Sequence, residues 1–319
     1  MSKKSGYLLG MLLTMIICMI LAWFFCCGAQ EGATAAGTST QSDTDNRNAV
    51  ASETTADTAT SWGFDLKDPD GSFAINSNDN FNFNTSEFSI LQPVSGQVDD
   101  GIGKLYAYLN ADGNTGKFVD ITGYYDSDEE NTSALANLGL ARANAVKNYF
   151  VGKGIPSTRI NTYGELNASL VPDGNVYRGP IKYSMTTRTD DAAAQEADAL
   201  EAIATDIKAN PLILYFDTAE ASIQLTPEQR EKVGAMSRYL DKVEGATVAI
   251  TGHTDNTGSR TTNTRLGLER ANFAKNYLAR NGIAPNKINT TSQGPDAPIA
   301  TNDTEAGRAK NRRCVVTLN

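Results

Sequence analysis

Residues 138–150 read LGLARANAVKNYF, and residues 266–278 read LGLERANFAKNYL. Both carry apolar positions at helical spacing, so each reads as an amphipathic helix. Each is followed by the pattern GIxxxxINT, from Gly154 to Thr162 and from Gly282 to Thr290. Upstream, Ile121-Thr122-Gly123 answers Ile250-Thr251-Gly252, and Phe83-Asn84-Thr85-Ser86-Glu87 answers Phe216-Asp217-Thr218-Ala219-Glu220. The blocks keep one order in both copies, and the helices lie 128 residues apart. That distance is domain-sized and too long for a solenoid repeat. The chain therefore reads as a tandem duplication.

Each copy predicts strand, helix, strand, helix, strand. In the second, Leu212 to Phe216 is an apolar run suited to a buried strand. Thr226-Pro227-Glu228 opens a helix, with Thr as N-cap, Pro at the first position and an acid in the first turn. Val233, Met236, Tyr239 and Leu240 recur along it at helical spacing. Thr247 to Thr251, Lys287 to Thr291 and Cys314 to Leu318 are the other strands, and Asn263 to Ala279 is the second helix, stopped at Gly282. Strands alternating with helices imply right-handed crossovers and an open two-layer sandwich. The expected class is α+β, with two tandem βαβαβ sandwiches at 73–189 and 211–319, joined by an Ala-rich helix over 190–210.

The N-terminus reads differently. Tyr7 to Ala29 holds no charged residue, and a helix of that length reaches about 35 Å, enough to cross a bilayer. Lys3 and Lys4 precede it, which favours a cytoplasmic tip at 1–6 and an exported C-terminal bulk. A cleaved signal peptide, or acylation at Cys26 or Cys27, are the competing readings. Residues 30–72 are rich in Thr, Ser, Ala, Asp, Asn and Gly, and no aromatic residue falls between Phe25 and Trp62. Such a stretch reads as a solvated tether. Of the four cysteines only Cys314 lies beyond the apolar stretch, so there is no disulfide framework.

With 28 Lys+Arg against 37 Asp+Glu, the chain lacks the basic footprint of a nucleic-acid binder. Its one histidine, His253, leaves no second imidazole for a multi-His metal site and reads as structural. No GxGxxG follows a strand, no P-loop is present, and no metal cluster or other cofactor signature appears. No pair of carboxylates stands out as the acid and base of a wall hydrolase.

The second copy holds an ordered set of polar motifs. Gly252-His253-Thr254-Asp255-Asn256-Thr257-Gly258-Ser259 follows a strand; Asn263, Leu266 and Arg270-Ala271 lie on the next helix. Asn302 to Arg313 completes the set as NDxxxGRxxNRR. From Leu212 to Asn319 the chain resembles the OmpA-like peptidoglycan-binding family, seen also in Pal lipoproteins and MotB stator proteins. The resemblance implies a noncovalent grip on the diaminopimelate of peptidoglycan stem peptides, a zwitterion. Asp255 would then accept from the ligand ammonium, and Arg270 would hold its carboxylate in a bidentate contact. Thr254, Asn263 and Leu266 fall at pocket-lining positions of the family. Arg308 and Arg312 are placed as further anion contacts or as braces for the carboxylate; the bland alternative makes Arg312-Arg313 a solvated strand edge.

In the first copy Asp126 and Arg142 are the equivalents, 16 residues apart instead of 15. The loop Gly123 to Glu130 is more acidic and would repel a carboxylate, and Tyr177-Arg178-Gly179-Pro180 stands where the last motif would be. A spacer role, a protein partner, self-association or a different ligand stay open for this copy. The expected protein is an envelope component held in a membrane by Tyr7–Ala29, its bulk in the periplasm, gripping the wall through its last domain. A MotB-like stator is the alternative, but Tyr7–Ala29 lacks the intramembrane carboxylate which that chemistry needs.

Overall fold

The computed structural model describes residues 58–216 and 223–319. The expected anchor at Tyr7–Ala29 and the tether residues 30–57 lie outside the described residues. Among the described residues no helix is long and apolar enough to cross a membrane.

In chain order the strands are β1 (Leu66–Lys67), β2 (Ala74–Ile75), β3 (Asn82–Asn84), β4 (Lys117–Tyr125), β5 (Ile160–Leu166), β6 (Val176–Arg178) and β7 (Ile181–Thr187) in the first half. The second half has β8 (Leu212–Tyr215), β9 (Val248–His253), β10 (Ile288–Gly294) and β11 (Arg313–Leu318). The helices are α1 (Gly96–Leu109), α2 (Leu138–Gly152), α3 (Asp190–Ala209), α4 (Pro227–Lys242), α5 (Arg260–Arg280) and α6 (Glu305–Asn311). Both repeated helices and the Ala-rich connector fall where the sequence places them. At the start of α4, the Gln229 amide donates to Thr226 Oγ1 and the Thr226 amide donates to Gln229 Oε1, a full capping box.

The second half builds one sheet of order β10-β9-β11-β8, with β9 parallel to β10 and antiparallel to β11. Val248, Ile250, Leu214 and Val316 point from it into a core closed by Val233 and Met236 of α4 and by Ala271, Ala274 and Leu278 of α5. The repeated glycines explain themselves here. A Cβ on Gly252 would strike the Gly267 carbonyl oxygen, and one on Gly123 would strike the Gly139 carbonyl oxygen. In both halves a strand glycine and a helix glycine let two backbones touch, which ties the ITG block to the LGL block.

The first half departs from its copy. Its main sheet has three strands, β5-β4-β7. β3, the counterpart of β8, does not extend that sheet but pairs with β6 as a separate ribbon. The expected boundary at residue 73 also needs correction. Phe64 and Leu66 are fully buried in the first core beside Ile102, Phe150 and Ile160. Phe64 packs against Tyr183 with ring centroids 4.5 Å apart. A polar composition hides these two apolar anchors, so residues 58–72 belong to the folded body rather than to a tether.

The halves are not separate beads: residues 56–319 form one compact unit. Ala134, Leu135 and Ala141 of the first half are buried in the second half's core. The Ala134 amide donates to Asn281 Oδ1 at 2.6 Å, and Asn148 Nδ2 donates to the Gly282 carbonyl at 3.0 Å. Lys147 Nζ meets Asp241 Oδ2 at 2.5 Å, and Lys242 Nζ donates to Asn161 Oδ1 at 2.7 Å.

Candidate functional site

β9 ends at His253, and the polar loop that follows starts from a strand interior to the sheet. The Thr257 amide donates to Asp255 Oδ1 at 2.9 Å, so Asp255 closes its own loop as an Asx turn. Arg312 Nη1 donates to Asp255 Oδ2 at 3.1 Å, and Arg312 Nη2 donates to Glu305 Oε1 at 2.7 Å. Burial pulls the Asp255 carboxyl upward, but the Thr257 amide and the Arg312 guanidinium outweigh it and hold it below the usual carboxylate range. Asp255 is therefore an anion at neutral pH, fixed in place from two sides.

Arg270 comes from α5 to the same end of β9. Its Nη1 donates to the His253 carbonyl at 3.2 Å, and its guanidinium lies 6.0 Å from the Phe216 ring centre. Burial lowers the guanidinium's affinity for its proton, although an arginine stays charged. The expected couple thus shares one end of the strand without pairing. Asp255 is engaged by Arg312, and among the described residues Arg270 makes no salt bridge.

The remaining predicted residues divide. Leu266 is half-buried on the same helix. Thr254 and Asn263 are buried and face inward. Thr254 Oγ1 donates to the Asp255 carbonyl at 2.8 Å, and Asn263 Nδ2 donates to the Thr257 carbonyl at 3.1 Å. Both bonds shape the loop that carries Asp255. Arg308 is held by Glu305 at 2.9 Å and by the Asn302 carbonyl at 2.8 Å. The last motif is largely architecture. Asn311 is fully buried and clamps the loop before α6, accepting from the Ile299 and Ala300 amides and donating to the Ala300 carbonyl. Arg312 and Arg313 are buried, and β11 is interior to the sheet, so the solvated-edge reading fails.

The first half repeats the arginine cradle and fills it. Arg142 is fully buried beside Phe83 and Tyr177, its guanidinium 5.5 and 5.2 Å from their ring centres. Its Nη1 donates to the Tyr124 carbonyl at 2.9 Å, the counterpart of the bond from Arg270 to His253. Glu129 then clasps it in a bidentate pair, Nη1 to Oε2 at 2.9 Å and Nη2 to Oε1 at 2.5 Å. The carboxylate also accepts from the Ser86 amide at 2.8 Å and the Asp126 amide at 3.0 Å. The acidic loop does not merely repel anions; one of its own acids occupies the arginine. Sequence reasoning missed Glu129, and it missed Glu305, whose signal was an acid seven residues before Arg312.

Among the described residues no cluster of His, Cys, Asp and Glu is arranged to hold a metal. His253 is buried, and its Nδ1 finds no hydrogen-bond partner among the described residues. Burial, with Arg313 nearby, pushes its pKa down to about 4. The unfolded imidazole takes a proton near pH 6.5. Stability is therefore fully present above pH 6.5 and is lost as pH falls toward 4, because only the unfolded state binds the proton. We expect a loss on the order of 2 kcal/mol across that window. Since His253 is the chain's one histidine, His253→Gln should flatten the slope between pH 6.5 and 5 in urea titrations.

The sequence profile described as the OmpA family matches this chain over residues 81–175 and 215–312, more than half of its length. The outer membrane protein Omp38 of Acinetobacter baumannii is 37% identical over 108 residues, covering 34% of this chain and 30% of that protein. The peptidoglycan-binding protein ArfA of Mycobacterium tuberculosis is 40% identical over 95 residues, covering 30% of this chain and 29% of that protein. Each alignment thus spans about a third of these curated relatives. A crystal structure of the peptidoglycan-associated lipoprotein from Burkholderia pseudomallei is 27% identical and covers 35% of this chain and 92% of that one, with a TM-score of 0.31.

Proposed function

The chain belongs to the OmpA family, and from that premise we propose that it is a noncovalent peptidoglycan-binding protein of the cell envelope, with no enzymatic step. Its second half grips the diaminopimelate of a stem peptide, and Tyr7–Ala29 holds it in a membrane. Relatives bearing the names peptidoglycan-binding protein and peptidoglycan-associated lipoprotein support the ligand class.

One observation carries the assignment to Arg270. The two halves set an arginine against the same strand-end carbonyl and beside the same aromatic block. In the first half a carboxylate fills the fork. In the second half the loop is Asp255-Asn256-Thr257-Gly258-Ser259, whose one acid is turned to Arg312 instead. The carboxylate held by Arg142 supports the reading that the fork of Arg270 takes a carboxylate from its ligand. Asp255, kept ionised, supplies the anion for the ligand ammonium, and Leu266 offers apolar contact. Arg312, with Arg308 holding Glu305, keeps Asp255 in position.

The purified full chain in detergent should pellet with peptidoglycan sacculi. Arg270→Ala should lower the bound fraction at least tenfold, since a charged bidentate contact contributes about 1.5–3 kcal/mol. Asp255→Asn should weaken binding to a similar degree. If both variants still pellet like the parent, the site lies elsewhere.

A further inference from the structure

We infer that the first half carries a second wall-facing site, a cavity for a saccharide of N-acetylated hexosamine units. The cavity measures about 450 Å³, within the usual range for ligand pockets. It lies where the duplication departs from symmetry. In the second half β8 covers the outer edge of β11; in the first, β3 has gone to β6 and β7 pairs with β4 alone. The segment Ser61–Asp65 comes to that side instead. The Trp62 amide donates to the Arg178 carbonyl at 3.3 Å, and the Phe64 amide donates to the Asp79 carbonyl at 2.9 Å. The space left between this segment and the start of β7 is the cavity.

Its walls suit a sugar. The half-buried rings of Trp62 and Tyr124 stand 5.1 Å apart at 69°, forming an aromatic corner. Asp65, Asn167 and Lys182 add polar side chains to the lining from three separate segments. A pyranose presents a C–H face and a rim of hydroxyls. The aromatic corner takes the face, as amphipathic aromatic rings do. The carboxylate accepts from hydroxyls, the amide both donates and accepts, and the ammonium donates. Among the described residues neither Asp65 nor Lys182 is engaged in a salt bridge. One anion and one cation give the cavity no net charge, which disfavours phosphates and nucleotides, whose recognition needs excess positive charge. An acetamido group adds a methyl for the rings and an N–H for the carboxylate. That the sugar belongs to the wall rests on the proposed peptidoglycan reading, while the cavity stands on its own geometry and its ligand carries no stem peptide.

The test uses the full chain with Trp23→Phe, which leaves Trp62 as its one tryptophan. Chitotetraose, cellotetraose (no acetamido groups) and a free stem pentapeptide are each titrated while Trp62 emission is followed, with calorimetry in parallel. Chitotetraose should saturate below about 10 mM, a weak single-site affinity, and bind at least tenfold tighter than cellotetraose. Asp65→Asn and Lys182→Glu, at exposed positions, should each weaken it at least threefold. Absence of saturation with chitotetraose overturns the inference, as does saturation by the pentapeptide alone or unchanged affinity in both variants. None of these failures touches the Arg270 reading, which the sacculus assay decides through stem peptides.

Discussion

Glu129→Ala should cost the folded chain about 3–5 kcal/mol, the usual penalty for stranding one member of a buried ion pair. Arg142 and Glu129 have side chains only 0% and 1% exposed, so water cannot replace the lost carboxylate. Three backbone carbonyls, from Glu87, Tyr124 and Asn84, would still surround the guanidinium. They supply dipoles but no full charge, and the Ser86 and Asp126 amides would lose their acceptor. The urea midpoint should fall accordingly, and millimolar acetate should restore part of it by entering the emptied fork. Replacing both partners, Arg142→Met with Glu129→Leu, should recover much of the loss because no charge is then left buried. An unchanged midpoint for Glu129→Ala would show that the pair contributes nothing to the first half.

Asp241→Ala should have the second large effect, about 3 kcal/mol, acting on both halves at once. Lys147 belongs to the first half and its side chain is 1% exposed, while Asp241 lies on α4 of the second. Burial lowers the Lys147 pKa, and Asp241 is the group that opposes it. Without Asp241 the folded pKa falls further below the unfolded value of about 10.4. The unfolded chain then binds more protons than the folded one, so the variant's stability rises with pH toward 10. Urea titrations at pH 7 and pH 9.5 should therefore show the deficit shrinking at the higher pH. Lys147→Met in the Asp241→Ala background should remove that pH dependence.

Much of this arrangement was written in the sequence, and what escaped did so for physical reasons. The paired helices, the Thr226 cap and the strand blocks are local patterns, and local patterns survive folding. The repeat also delivered the cradle, since Phe83 with Arg142 and Phe216 with Arg270 sit in matching blocks. The path of β3 is different. Its Phe83 answers Phe216, the residue just after β8, yet strand partnership is settled by long-range packing that no short pattern encodes. Phe64 and Leu66 were masked by polar neighbours. Glu129 was visible as charge, but repulsion and capture look alike until distances are known. Thr254 and Asn263 are pocket positions only through the family resemblance, and no local pattern announces their burial or their bonds to the Asp255 and Thr257 carbonyls.

The seam between the halves bears on how the molecule answers tension. Ala134 to Asn281, Asn148 to Gly282, Lys147 to Asp241 and Lys242 to Asn161 cross it side by side. A pull applied at the second half is thus shared among several cross-braces and does not run solely through the covalent link at α3. The body should give way as a single block under force, rather than releasing its length module by module as a string of independent repeats does.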